Sequence, residues 1–236
     1  MLSIVIPTLN EEKYLPKLLN CLKNQSYKNF EIIIVDANSE DKTKEVASKL
    51  KESFKIKIIN SEKRNPGYQR NLGLKNAINE RVLFLDADTK IPNDFLKKAL
   101  EEIKDKNIEI AACPIYPDSS HPIDVFFIFL FRLYLKSLYK IIGLNGCCLF
   151  TLKSLHNKVN GFDETIKVSE DFDYTKRLKK YAKLSLLKSA NVKISMRRFE
   201  KHGRLRTGLK VLSIGLYIDF GGKIKNNLFN YKFNEK

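Results

Sequence analysis

The sequence predicts an α/β fold with a mostly parallel central sheet flanked on both faces by helices, and a helical region toward the C-terminus. Three observations carry this. Short apolar runs alternate with amphipathic helical patterns through the first hundred residues. The runs are continuous rather than alternating, which is the pattern of strands buried on both faces. Each ends in a polar segment, and in open parallel sheets ligands bind beyond the carboxyl ends of the strands. With 236 residues, 43% of them hydrophobic, the chain can bury a core without disulfide or metal staples.

The first strand is Leu2 to Ile6. It runs into Pro7-Thr8-Leu9-Asn10-Glu11-Glu12, after which Leu15, Leu18, Leu19 and Leu22 recur at helical spacing. The second, Ile32 to Val35, ends in Asp36-Ala37-Asn38-Ser39-Glu40-Asp41-Lys42-Thr43 and is followed by the helical set Val46, Ala47 and Leu50. Asn10 and Ser39 are candidate helix caps, with acids in the first turn. Ile56 to Ile59 gives a third strand, and Val82 to Leu85 a fourth that stops at Asp86-Ala87-Asp88. Much later, Tyr174, Leu178 and Tyr181 make a buried helical stripe behind Glu170-Asp171.

Asp86 and Asp88 are the densest chemical signal. A buried strand that stops in two carboxylates separated by one small residue concentrates negative charge at the open end of the sheet. A bend there lets both acids face one site, where oxygen ligands suit Mg²⁺ or Mn²⁺ carrying a diphosphate. A solvated turn is the competing reading, since Asp is common after strands. The other strand ends favour the first: Asp36 suits a base N–H, and Glu11 or Asp86 suits ribose hydroxyls.

Composition narrows the partners. A net charge of +16, from 43 Lys and Arg against 27 Asp and Glu, favours nucleotides, nucleic acids or anionic membrane surfaces. Cys21, Cys113, Cys147 and Cys148 lack zinc spacing and read as reduced core residues, and the start without a basic leader gives a cytoplasmic expectation. A nucleic-acid-binding module would explain the charge but not the acid-lined strand ends, so no nucleic acid is expected. A sugar-1-phosphate nucleotidyltransferase would share the architecture and the metal acids. It needs a Gly-rich basic loop after the first strand, where this chain has Pro7-Thr8-Leu9-Asn10-Glu11.

Taken in order, Ile4 to Glu12, Val35 to Thr43 and Asp86-Ala87-Asp88 resemble the motifs of family 2 glycosyltransferases of the Rossmann-like GT-A fold. Pro66-Gly67-Tyr68-Gln69-Arg70-Asn71-Leu72-Gly73 is similar to the family's Arg-Asn segment, and Val159-Asn160-Gly161-Phe162-Asp163-Glu164 to its Gly-Phe-Asp-Glu segment. Ser169-Glu170-Asp171-Phe172-Asp173 looks like the Glu-Asp pair that carries the catalytic base. The resemblance spans residues 1–200 and implies a nucleotide-binding half at 1–115 and an acceptor half at 116–200, with 201–236 as a helical basic tail. It implies an inverting, metal-dependent transfer from a UDP- or GDP-sugar to an acceptor hydroxyl or lipid phosphate, in the assembly of a glycan, glycolipid or cell-surface polysaccharide. Asp171 would be the general base. Pro7, Thr8, Asn10, Glu11, Asp36 and Arg70 would bind the nucleotide sugar. So would Asp86, Ala87 and Asp88, with Asp88 and Asp86 holding the divalent cation.

The sequence also departs from the family. Ala37 stands second in the usual Asp-Asp pair, so recognition of the nucleoside rests on Asp36. The chain has no Trp, hence no Gln/Arg-x-x-Arg-Trp signature, and long-chain polymerisation is not expected. In the C-terminal region Arg197 and Arg198 could clamp the diphosphate, and His202 could be a third metal ligand, as in some GT-A enzymes. A solvated basic run, including Arg204, explains these residues as well. Arg64 reads as a solvent-facing loop charge.

Asp124 opens Val125-Phe126-Phe127-Ile128-Phe129-Leu130-Phe131-Arg132-Leu133-Tyr134-Leu135-Lys136, which is too aromatic for an ordinary exposed helix and too short for a bilayer span of about 20 apolar residues. Arg132, Lys136 and Lys140 would line one stripe opposite an apolar face with Phe127, Leu130 and Tyr134. Both an interfacial helix and a core helix over the sheet fit this pattern. Leu209 to Lys223 is a second apolar segment, followed by a basic, Asn-rich end. Peripheral contact with an anionic membrane, and a lipid-linked or glycan acceptor, follow as expectations.

Overall fold

A computed structural model describes residues 1–49, 55–218 and 222–225 in full, with the backbone of Asp219. All four expected strands form: β1 (Leu2–Thr8), β2 (Phe30–Asp36), β3 (Ile56–Asn60) and β4 (Arg81–Leu85) are parallel. Each outruns its apolar run because polar residues at the ends still pair in register, as Thr8 does with Asp36 and Asp36 with Asn60. The crossovers are α1 (Leu15–Lys23), α2 (Thr43–Lys49) and α3 (Pro66–Lys75). Leu50, expected on the α2 stripe, lies outside the described residues.

After β4 come β5 (Thr89–Lys90), α4 (Phe95–Asp105), β6 (Ile110–Ala112), β7 (Ile115–Pro117), α5 (Pro122–Ile142), β8 (Cys148–Leu152) and α6 (Lys153–Lys158). The chain continues through α7 (Glu170–Leu178), β9 (Leu184–Leu186), β10 (Val192–Ile194), α8 (Arg197–His202) and α9 (Arg204–Asp219). The main sheet has the order β3-β2-β1-β4-β8-β6-β9, with β8 antiparallel to β4 and β6. A small sheet, β5-β10-β7, stands beside it. Because β2 flanks β1 on one side and β4 on the other, the strand order reverses at β1. The crevice above the carboxyl ends of β1 and β4 is therefore where a ligand belongs.

Alternating strand residues feed two apolar layers, one on each sheet face. Ile4, Ile34 and Leu83 join Leu18 of α1 and Phe95 of α4, while Val5, Val35 and Phe84 join Leu74 of α3 and Tyr174 and Leu178 of α7. Tyr181 departs from its expected place: α7 ends at Leu178, so Tyr181 leaves the stripe and is 47% exposed, under the Lys158 ammonium. Cys113 and Cys148 are buried free thiols with sulfurs 3.1 Å apart, whereas Cys21 and Cys147 are half-buried.

Helix α5 corrects the expected wheel. Phe127, Ile128, Leu135 and Ile142 face inward, and Phe126, Phe129, Leu133 and Ile141 face out. The apolar side expected to reach lipid through Phe127 is thus partly the core side. Arg132 also leaves the basic stripe, since its guanidinium lies 3.9 Å from the Tyr116 ring centroid and donates 2.8 Å to the Tyr116 hydroxyl. Among the described residues no helix is long and apolar enough to cross a membrane. Of the expected tail, Phe220, Gly221 and residues 226–236 lie outside the described residues.

Candidate active site

The loops after β1 and β2 are laced together. The Asn10 N–H donates to Ser39 Oγ at 2.9 Å, and the Glu40 N–H returns to Asn10 Oδ1 at 2.9 Å. Glu11 N–H donates to Thr43 Oγ1 at 2.7 Å, Glu12 N–H to Asp41 at 3.0 Å, and Lys42 N–H to Glu12 at 3.1 Å. Asn10 is thus no helix cap: it sits at φ +55°, a left-handed conformation that Asn tolerates, and Tyr14 takes the cap position of α1. The sequence signal for caps was a signal for braces between two loops.

Asp36 is 1% exposed and turned into its own loop. It accepts from the Ser39 N–H at 2.9 Å, the Ser39 hydroxyl at 2.5 Å and the Thr8 hydroxyl at 3.2 Å, with Lys44 at 3.6 Å. Pro7, Thr8 and Glu11 line the crevice above the sheet, but Asn10 and Asp36 do not. The crevice is a cavity of about 370 Å³.

Two arginines organise its acids. Arg70, 4% exposed on α3, donates 2.9 Å to Asp86 and also pairs with Glu170 at the start of α7. Those carboxylates hold the guanidinium above its ordinary range despite its burial. Arg197, the first residue of α8, grips Glu11 with both terminal nitrogens at 2.8 and 2.5 Å, lies 3.2 Å from Asp88, and stacks 4.6 Å over the Tyr14 ring. Burial raises the Asp88 carboxyl, and the Asp86 charge adds to this while Arg197 opposes it.

Asp171 lines the same cavity. Its carboxylate accepts from the Gly146 N–H at 2.5 Å and the Phe172 N–H at 2.9 Å. Burial, and then the Glu170 charge, push it up to about 7, with Arg70 and the two N–H donors opposing. The Asp86 N–H donates 3.0 Å to Cys147 O, so the Asn145–Cys147 loop ties the Asp86 end of β4 to Asp171. Gly146 permits this contact, because a Cβ there would come within 2.7 Å of the Asp171 Cβ. The sequence reading missed this loop. Its one legible trace is Asn145-Gly146, and nothing local says what the glycine approaches.

A hard divalent cation needs oxygen ligands. Among the described residues no three His, Cys, Asp or Glu side chains form a metal cage. Mg²⁺, however, is usually bound through one or two carboxylates plus substrate phosphates, and Asp88 and Asp86 on the cavity wall fit that mode. His202 is not brought to them: it is exposed and does not line the cavity. Five residues beyond Arg197, it sits about 140° around the helix. Arg198 and Arg64 do line the cavity, and Arg64 pairs at its rim with Glu40 at 2.6 Å. Arg204 instead pairs with buried Asp124 at 3.1 Å. Residues past 200 complete the site, since Thr207, Gly208, Val211 and Leu212 of α9 form part of its wall.

Residues 3–159 match the family model for glycosyl transferase family 2. In sequence the chain is 36% identical over 112 residues to the poly(ribitol-phosphate) beta-N-acetylglucosaminyltransferase TarS of Staphylococcus aureus, covering 46% of this chain and 20% of that protein. It is 44% identical over 105 residues to a dolichyl N-acetyl-alpha-D-glucosaminyl phosphate 3-beta-D-2,3-diacetamido-2,3-dideoxy-beta-D-glucuronosyltransferase of Methanococcus voltae, covering 42% of this chain and 33% of that protein. The matched region is thus a third or less of these relatives. In structure, TarS 1–349 with UDP-GlcNAc aligns with a TM-score of 0.70 at 23% identity, over 92% of this chain and 66% of that one. A Pyrobaculum calidifontis mannosyltransferase with GDP-Man and Mn²⁺ gives 0.70 at 18% identity, over 95% and 65%.

The strand order that reverses at β1, together with this likeness, defines the GT-A fold. The family match, which spans well over half of the sequence, places the chain in glycosyl transferase family 2.

Proposed function

We propose that the protein transfers a sugar, with inversion, from a nucleoside diphosphate sugar to an acceptor hydroxyl or lipid phosphate during assembly of a glycan, glycolipid or cell-surface polysaccharide. The observation that carries this is Asp171: a carboxylate pushed up to about 7 in the cavity that Asp86, Asp88 and Arg197 also line. A base of that strength is half ionised near neutral pH and takes the proton of the acceptor as it attacks the anomeric carbon. Gly146 and Phe172 fix its orientation through two N–H donors. Glu170 is held by Arg70 and keeps the Asp171 carboxyl basic.

Asp88, with Asp86, would hold a divalent cation, which when bound supplies Lewis-acid stabilisation of the departing diphosphate. Arg197 and Arg198 add fixed positive charge beside the same leaving group. Arg197 is spent on Glu11 and Asp88, so donor binding exchanges carboxylate partners for phosphate. The nucleotide half is residues 1–115 and the acceptor half 116–200, with α8 and α9 closing the acceptor side. Both relatives above are named for β-linked products, which an in-line displacement gives from an α-linked donor. UDP is the first candidate on the TarS likeness and GDP the second.

A thermal-shift panel of UDP, GDP, CMP and dTDP, with and without Mn²⁺, tests the donor site. One nucleoside diphosphate should raise the melting temperature more with Mn²⁺ than without, and Asp88→Ala should remove the increment. No shift from any nucleotide in either condition would end the proposal.

A further inference from the structure

Helices α5 and α9 form a paired platform. Gly208 packs on Phe127, where a Cβ would come within 2.4 Å of the ring, and Gly215 faces Tyr134, whose hydroxyl would lie 3.9 Å from such a Cβ. Both contacts advance seven residues along each helix, so the two run side by side in the same direction. Their N-terminal ends are pinned by Asp124, buried at the start of α5, which accepts from Arg204 at 3.1 Å and from Ser119 at 2.7 Å.

Each helix carries an apolar stripe on its outside. On α5, Val125, Phe126, Phe129 and Leu133 are each 46–56% exposed. On α9, Leu205, Leu209, Leu212 and Leu216 are 37–61% exposed and fall within an arc of about 60°. Measured from the line of contact, the stripe is centred about 135° one way on α5 and about 80° the other way on α9. For parallel neighbours that is the same flank. Contiguous exposed apolar surface of this kind marks an interaction site.

The charge on the flank selects the occupant. From Val125 to Phe162, and from Lys201 to Ile218, the sequence contains no Asp or Glu. Lys136 and Lys140 are exposed on the outer arc of α5, and exposed Arg206 adjoins the leucine stripe of α9. Leucine and phenylalanine flanked by Lys and Arg without carboxylates is the composition of a helix lying in an anionic bilayer interface. A second copy of the chain would bring these bases against the same bases. The surface also runs into the active site, because Leu212 is both 37% exposed and part of the cavity wall, next to Val211, Phe127 and Phe131.

We infer that the α5/α9 flank docks on an anionic lipid bilayer and sets the apolar wall of the cavity at the lipid surface, so that the acceptor is presented by a membrane lipid. The acceptor clause rests on the proposed transfer reaction, whereas the docking itself does not.

Flotation of the full chain with phosphatidylcholine vesicles, with and without phosphatidylglycerol, tests it. The wild type should float with the anionic vesicles and far less with the neutral ones. Phe129→Glu/Leu209→Glu should lower the bound fraction more than about tenfold, because two apolar anchors become charges. Its nucleotide-induced thermal shift should stay unchanged, which separates failure of docking from failure of the donor site. Leu205→Gln/Leu216→Gln, a milder pair, gives the same reading if the charged pair melts early. Wild type left at the bottom of the gradient with anionic vesicles, or variants floating as well as wild type, would overturn the inference. So would sedimentation velocity showing a wild-type dimer that the same substitutions dissociate.

Discussion

The loops above β1, β2 and β4 and the α5/α9 flank both reach the cavity, through Glu11 and Asp86 on one side and Leu212 on the other, yet they are built on opposite terms. On the rim, polar groups are answered by other polar groups: Asn10 by Ser39 and Glu40, Glu11 by Thr43 and Arg197, Asp86 by Arg70. On the flank, Phe129 and Leu209 point outward with 56% and 60% of their surface exposed. A charged ligand that must be bound in one geometry calls for preorganised partners, and the rim supplies them. A fluid apolar ligand needs area rather than geometry, and the flank supplies that.

Breaking the contrast at its strongest point gives the largest effect. Arg70→Ala would leave Asp86 and buried Glu170 facing one another without their cation, a loss of ~3–5 kcal/mol in unfolding free energy. Urea denaturation measures it, and a loss under ~1 kcal/mol would mean that the two acids find water instead. A single brace is worth less. Ser39→Ala removes a hydroxyl donor from Asp36 and an acceptor from the Asn10 N–H, and should cost ~1–2 kcal/mol. The flank sets the lower bound: Leu209→Ser should stay within ~0.5 kcal/mol of wild type in the same titration. A larger loss there would show that α9 is held by its exposed stripe.

Most of the fold was legible because the parallel strands are continuous apolar runs, and candidate site residues were legible where they lie at the strand ends. Asp86, Asp88 and Asp171 could be placed in one site from motif order, and the structure brings them to one cavity. Side-chain direction was not legible. Asp36 and Asn10 sit at the expected strand ends but turn into their loops, where Ser39 and Glu40, some thirty residues from Asn10, supply their partners. On α5 the apolar residues surround most of the helix, so periodicity could not say whether Phe127 or Phe126 meets the core. Gly208, on a different helix, decides it. The partner of Glu11, Arg197, lies 186 residues away, a pairing no local pattern announces.

The role of Asp171 as base of the transfer is decided by the pH profile of nucleoside diphosphate release from the preferred donor, in wild type and Asp171→Asn. A carboxyl raised to about 7 is protonated, and inactive as a base, below that pH. Wild-type kcat/KM should therefore rise about tenfold per pH unit up to about 7 and level off above it. Asp171→Asn should lose at least about a hundredfold in rate at pH 8 while keeping the nucleotide-induced thermal shift. A wild-type acid limb near pH 4, or an Asn variant that turns over at the wild-type rate, would contradict the assignment.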